Sequence, residues 1–497
     1  MRRSSLNLTT LLAGKFFSVP LIFLAVLISH LLVEDIHARN LTTFSLILVI
    51  FNAYVMRCSG RDLMVFLYPS VFAVNYLYVS LLIGAAGFYG NKIVVPYMAS
   101  YSLSWDASVG SMLFFGGVVA AILLFSDYKA PQVFWLERRQ HVGGILLSLL
   151  GFFFALLVFA DGEIFFAEQI IGAVFAVYVL QVLAVKQPST RIVLYLLAFI
   201  PFALAMAHSK REAIFFLYSI LVFEVILAKR RQLTLSRVSL ALSGAVVLGF
   251  LVLIMTVVRA SAIFGVSGIS NILPAVAAYL EWHDFWGYFL LNIEATYTYF
   301  HVVNAIDMSS KGLVPLLWGE TYAKLFYIWL PRELGLWKPD SAVHYYTTLF
   351  SYDVRREGGS WGVSMLGEAY MNFRFAGAIV VAGLLSGFDW IFRNFILRPR
   401  GRGLLYSVGA LYFGVAVLTF ARGSGLELAF IQWVVTIAAA LPFAIVLGFG
   451  KRVTALWRRS GTFEARRVLS EASRASSRSI TTSLYRSERS ERGSRGA

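Results

Sequence analysis

The residues best equipped for chemistry are a few cations set apart from the rest: Lys210-Arg211, Arg259, Arg332, Lys338, Arg355, Arg356 and Arg374. A guanidinium presents a fixed fork of donors that matches two phosphate oxygens at once, so arginines gathered beside a membrane fit an anionic headgroup or a diphosphate. The plainer alternative is pairing with the acids interspersed among them, Glu320, Glu333, Asp340, Asp353, Glu357 and Glu368. Gly358-Gly359-Ser360-Trp361-Gly362 matches the spacing of a hydrolase nucleophile elbow, but that chemistry places a histidine after the serine. The last histidine is His344, so the stretch reads as a glycine-rich turn. The chain carries no phosphate loop, no dinucleotide fingerprint, no His-Glu-x-x-His and no aspartate pair for a metal-bound nucleotide sugar, so no soluble cofactor is expected.

The elements that must position these residues follow from composition. Hydrophobic residues make up 59% of the chain and charged residues 14%, and the mean hydropathy is +0.73. That is more apolar surface than a soluble core can bury, and the runs are continuous rather than alternating, which selects membrane-spanning helices over a barrel. Spans are expected near 17–33, 41–57, 63–87, 107–126, 142–160, 164–185, 192–207, 212–228, 238–258, 367–390, 403–420 and 424–447, about twelve in all. The basic start with Arg2, Arg3 and Lys15 lacks a small-residue cleavage site, so it reads as the flank of a retained first helix. A single cysteine, Cys58, excludes an internal disulfide.

Charge position sets orientation. With the N-terminus inside, about 30 of the 43 Lys and Arg fall on the cytoplasmic side, including the tail, and both termini are cytoplasmic. The net charge of +16 is then an orientation signal rather than a nucleic-acid footprint. The expected organisation is all-α: helices one to nine over 1–258, an outer-face loop over 259–366, helices ten to twelve over 367–447, and a disordered basic tail over 448–497. The loop far exceeds an ordinary connection. Within it Tyr279, Trp282, Phe285, Trp286 and Phe289 recur at helical spacing, as in an amphipathic helix along the membrane interface; an aromatic belt that only anchors the loop is the alternative. Glu168, Glu224, Arg374, Arg422 and Glu427 lie in or beside spans, where an ionised group costs about 2.5 kcal/mol or more unless paired or wetted, and so should face the bundle interior. The cation set named first falls on the outer side, against the orientation bias.

Three stretches then carry a resemblance: Leu317-Trp318-Gly319-Glu320-Thr321-Tyr322; Leu330-Pro331-Arg332-Glu333-Leu334 with Trp337-Lys338-Pro339; and Ser364-Met365-Leu366-Gly367-Glu368-Ala369-Tyr370-Met371-Asn372-Phe373. Together with the Ser209-Lys210-Arg211 turn they resemble the signature of bacterial O-antigen, or oligosaccharide repeat-unit, polymerases. Where that family has glycine after Asn-Phe, this chain has Arg374, which adds a cation.

The resemblance implies a membrane-embedded, GT-C-like inverting glycosyltransferase in the bacterial inner membrane. Such an enzyme joins polyprenyl-diphosphate-linked oligosaccharides on the outer face without nucleotide sugar, ATP or metal. It implies Arg211, Arg259 and Arg332 on the diphosphates, supported by Lys338, Lys210 and Arg374, and a general base among Glu368, His344 and Asp353. Partners would be the lipid-linked oligosaccharide, membrane lipid, a chain-length regulator and a flippase. Competing readings are an O-antigen ligase delivering glycan to lipid A core, a transporter or flippase for lipid-linked sugars, and a non-catalytic assembly partner. No internal repeat is visible, which weighs against the transporter.

Overall fold

The computed structural model describes residues 8–60, 69–88, 105–128, 145–151, 167–183, 294–328, 338–356, 359–396, 404–423 and 425–442, with scattered residues between. The expected spans at 212–228 and 238–258, most of that at 192–207, the aromatic stretch 279–289 and the tail lie outside them. Met1–Ala440 form one compact unit and Leu441–Ala497 a second.

The described secondary structure is helical, without a strand. The helices are α1 (Leu8–Leu32), α2 (Ile36–Cys58), α3 (Pro69–Phe88), α4 (Trp105–Phe125), α5 (Ala167–Leu183), α6 (Glu294–Ser310), α7 (Glu320–Tyr327), α8 (Ala342–Phe350), α9 (Tyr352–Arg356), α10 (Ser364–Phe373), α11 (Gly377–Ile391), α12 (Leu404–Arg422) and α13 (Leu426–Pro442). Among the described residues four stretches are long and apolar enough to cross a membrane: Gly14–Leu32, Ile36–Cys58, Pro69–Phe88 and Ser364–Asn394. Shorter apolar helices cover Val109–Phe125, Ile170–Val182, Tyr412–Arg422 and Leu426–Pro442, at further expected spans. This is the architecture of a multi-pass helical membrane protein. α1 makes the solvent plain: Phe16, Phe17, Leu31 and Leu32 are 68–77% exposed, a surface that would aggregate in water and that lipid covers.

Local chemistry explains the turns. Between α1 and α2 the Asp35 side chain accepts from the Ala38 amide at 2.7 Å, an N-cap for α2. Arg39, only 1% exposed, donates from Nε and Nη2 to the Val33 carbonyl at 2.9 and 2.6 Å, closing the chain end of α1. So short a link makes the two helices antiparallel neighbours.

Polar contacts then sort the bundle into two ends. At one, Lys15 donates to the Leu124 and Ser126 carbonyls, Arg393 faces Asp127, and buried Asp389 of α11 accepts from the Ser70 amide at 2.9 Å and the Ser70 hydroxyl at 2.5 Å. The start of α1, the start of α3 and the finishes of α4 and α11 therefore lie together. At the other end His37 stacks on Phe88 at 5.5 Å, and Asn40 donates to the Tyr299 hydroxyl at 2.8 Å. Chain direction carries the start of α10 and the finish of α12 to this second end.

α6 belongs to the stretch expected as loop, yet it is built into the bundle against α3, α4 and α10. Tyr299, Val302, Val303 and Ile306 form its apolar face, while Thr298, His301, Asn304 and Asp307, three residues apart, form a buried polar stripe. A helix with both faces buried needs side-chain partners along that stripe. His301 Nδ1 and Asn304 Nδ2 meet the Tyr346 hydroxyl at 2.9 and 2.8 Å, and Asp307 pairs with Lys311.

Candidate functional site

Glu368 sits on the first half of α10, 1% exposed. Its Oε1 accepts a hydrogen bond from the Thr321 hydroxyl of α7 at 2.7 Å, and its Oε2 has no hydrogen-bond partner. The same hydroxyl accepts from Asn372 Nδ2 at 2.8 Å, one turn further along α10. Asn372 also donates to the Glu368 carbonyl and accepts from the Gly319 amide at 3.1 Å. The main chain repeats the match, with the Leu317 and Trp318 amides donating to the Met371 and Asn372 carbonyls. Two sequence stretches that stand 53 residues apart at Gly319 and Asn372 are thus laced together around one carboxylate.

The lacing needs a sharp reversal before α7. Trp318 and Gly319 both have positive φ, 50° and 87°, a conformation glycine adopts without strain and tryptophan does not. The turn leaves the Trp318 indole 80% exposed and Gly319 against Phe373. Tyr322, one residue beyond Thr321, stacks on Phe373 with centroids 6.0 Å apart and meets Phe420 of α12 edge-on. Its ring is partly exposed, whereas its hydroxyl is buried and has no hydrogen-bond partner. Burial, and then the charge of Glu368, push this phenol well above its ordinary pKa, so it stays a hydrogen-bond donor. Lys324, on the same short helix, lies 3.4 Å from Glu427 at the start of α13. Lys324 and Glu427 are the two charges that bear on Glu368.

The other expected site residues are placed differently. Arg374 ends α10: its guanidinium donates to the Val314 carbonyl at 2.6 Å and to the Met371 and Tyr370 carbonyls at 3.3 and 3.5 Å, and lies over the Tyr370 ring. It caps a helix with the same fork that would otherwise hold phosphate. His344 is half-buried in the first turn of α8, whose Ser341 cap accepts from its amide. Asp353 is exposed on α9, and Lys338 is half-buried before α8. Lys210, Arg211, Arg259 and Arg332 lie outside the described residues. Gly359 to Val363 have no regular secondary structure; the Trp361 amide donates to the Thr347 hydroxyl at 2.8 Å, and Ser360 is exposed.

Sequence reasoning passed over Thr321, Asn372, Tyr322 and Lys324 as site components. Their signal was present, since all but Lys324 lie in the two motif stretches, but nothing in a linear pattern pairs Thr321 with Glu368. Among the described residues no three His, Cys, Asp or Glu side chains come together as metal ligands. No known protein family, curated protein or solved structure matches the chain.

Proposed function

We propose that this protein is a glycosyltransferase that polymerises polyprenyl-diphosphate-linked oligosaccharide repeat units on the outer face of the bacterial inner membrane. The observation that carries the reading is the convergence of the two stretches that resemble the polymerase signature on one buried carboxylate, Glu368. In the proposed reaction a hydroxyl of the acceptor sugar attacks the anomeric carbon of the donor. Its proton passes to the Glu368 carboxylate, and the bond from that carbon to the diphosphate oxygen breaks. The lipid diphosphate leaves with the electron pair and is held by Arg211, Arg259 and Arg332, with Lys210 and Lys338 beside them.

Glu368 rather than His344 or Asp353 is assigned the base, because Thr321 engages one of its oxygens and leaves Oε2 available to a substrate hydroxyl. Arg374 is assigned a supporting part: it holds the finish of α10, and so the Asn372 that orients Thr321. Both termini and the basic tail belong on the cytoplasmic side in this reading, as the excess of positive charge there favours.

The test is incubation of the purified protein with a lipid-diphosphate oligosaccharide. A ladder of products spaced by one repeat unit is expected. Transfer of a single block to lipid A core would make it a ligase instead, and no transfer with either acceptor would overturn the reading.

A further inference from the structure

Among the described residues, two of the buried polar atoms that lack a hydrogen-bond partner belong to one cluster: Glu368 Oε2 on α10 and the Tyr322 hydroxyl on α7. Buried polar groups are nearly always satisfied, so two orphans on residues of the packed α7 and α10 call for a shared explanation. One is an acceptor and the other a donor, and together they complement a group that both donates and accepts. A hydroxyl is such a group. The rest of the cluster is committed, since the Thr321 hydroxyl donates to Glu368 Oε1 and accepts from Asn372, Asn372 also donates to the Glu368 carbonyl, and Lys324 pairs with Glu427.

We propose that Glu368 and Tyr322 form a subsite for one hydroxyl of the acceptor sugar, with Glu368 Oε2 accepting its proton and the Tyr322 hydroxyl donating to its oxygen. This rests on the glycosyltransferase reading and adds to it a second residue that touches the substrate. The Tyr322 ring is partly exposed, and α7 is a helix of eight residues bounded on one side by the Trp318-Gly319 reversal. The path for a sugar is therefore under α7, along the face where Tyr322 stacks on Phe373. Lys324 and Glu427 tie α7 to the start of α13, so in this proposal breaking that pair eases entry of the sugar.

The decisive variant is Tyr322→Phe, which removes one oxygen and keeps the ring stacked on Phe373. Removing a buried hydroxyl that bonds nothing is neutral or stabilising to the fold. If the hydroxyl binds substrate, the variant loses about tenfold in kcat/KM for chain extension, the loss of one good hydrogen bond, with an unchanged or higher Tm in detergent. Wild-type turnover in Tyr322→Phe, alongside a wild-type protein that makes a ladder, overturns the subsite and leaves the polymerase reading intact. A wild-type protein that makes no ladder overturns the polymerase reading, and the subsite with it. Should Tyr322→Phe lose Tm, Lys324→Met supplies the second measurement: freeing α7 should lower KM for the acceptor, and an unchanged KM would remove the proposed path.

Discussion

Arg211 and Arg332 are the residues on which the proposed leaving-group chemistry turns, and lysine at either position separates charge from geometry. Arg211→Lys or Arg332→Lys keeps one positive charge but loses the two-point contact with phosphate oxygens. If each guanidinium stabilises charge growing on the diphosphate, its loss costs about 3 kcal/mol, on the order of a hundredfold in rate. Measured polymerisation by the lysine variants at wild-type rate would mean that charge alone suffices. A second consequence at this scale concerns His301, buried between Tyr346, Phe350 and Trp361. Burial lowers its pKa from 6.5 to about 3, so the folded protein keeps it neutral where an unfolded chain protonates it. The unfolded state binds more protons below pH 6.5; its contribution to stability is intact above that pH and falls towards pH 3, by up to about 1.4 kcal/mol per unit. Tm in detergent should therefore drop between pH 7 and 5, with a shallower drop for His301→Gln. Equal slopes for the two proteins would take His301 out of the acid response.

α10 is the element that holds the site, and its start depends on α12. Gly423, at the finish of α12, has φ +107°, and a Cβ there would lie 2.2 Å from the Ser364 amide nitrogen and 2.6 Å from its Cα. Both are backbone atoms that cannot rotate away. Gly423→Ala should cost about 1–3 kcal/mol, from strain and displacement of Ser364, and should lower turnover without touching any substrate group. Gly383 on α11 is the control, because a Cβ there meets nothing within 4 Å and the backbone is helical. Gly383→Ala should leave Tm unchanged or raise it, by up to about 1 kcal/mol of helix propensity. Similar losses in both variants would show that glycine at these positions serves something other than the Ser364 contact. The break between α10 and α11 has a matching cause. Arg374, with φ 54°, turns the chain out of α10, and its side chain donates to the Met371 and Tyr370 carbonyls of the last turn.

Across the whole molecule, charged groups gather at two ends of the bundle, and the orientation proposed from charge sets the first of them toward the cytoplasm. Lys15, Asp127 and Arg393 gather at one end, and Glu368, Lys324 and Glu427 stand at the other. A reporter fused at His344 should therefore give an extracytoplasmic signal. A cytoplasmic signal would overturn both the orientation and the assignment of the diphosphate cations.

Helix class, the multi-pass character and most described span positions were legible from hydropathy alone, because apolar length is a local property that lipid reads directly. Glu368 could be singled out as an acid within its stretch, but neither its burial nor its bond to Thr321 could be read there. The sequence could not show that α6, read as part of a loop, is packed on both faces. Its polar stripe of Thr298, His301, Asn304 and Asp307 lowers the hydropathy, and only the facing Tyr346 explains why the stripe can be buried. Nor could it separate Arg374 the helix cap from Arg374 the phosphate ligand, since the same five donors serve both, and the choice belongs to whichever oxygens the fold brings near. The Thr321–Glu368 bond and the orphan Tyr322 hydroxyl beside it exist only because the Trp318-Gly319 reversal lays α7 on α10. Residue type and spacing determine which groups are on hand, and long-range packing determines which of them meet.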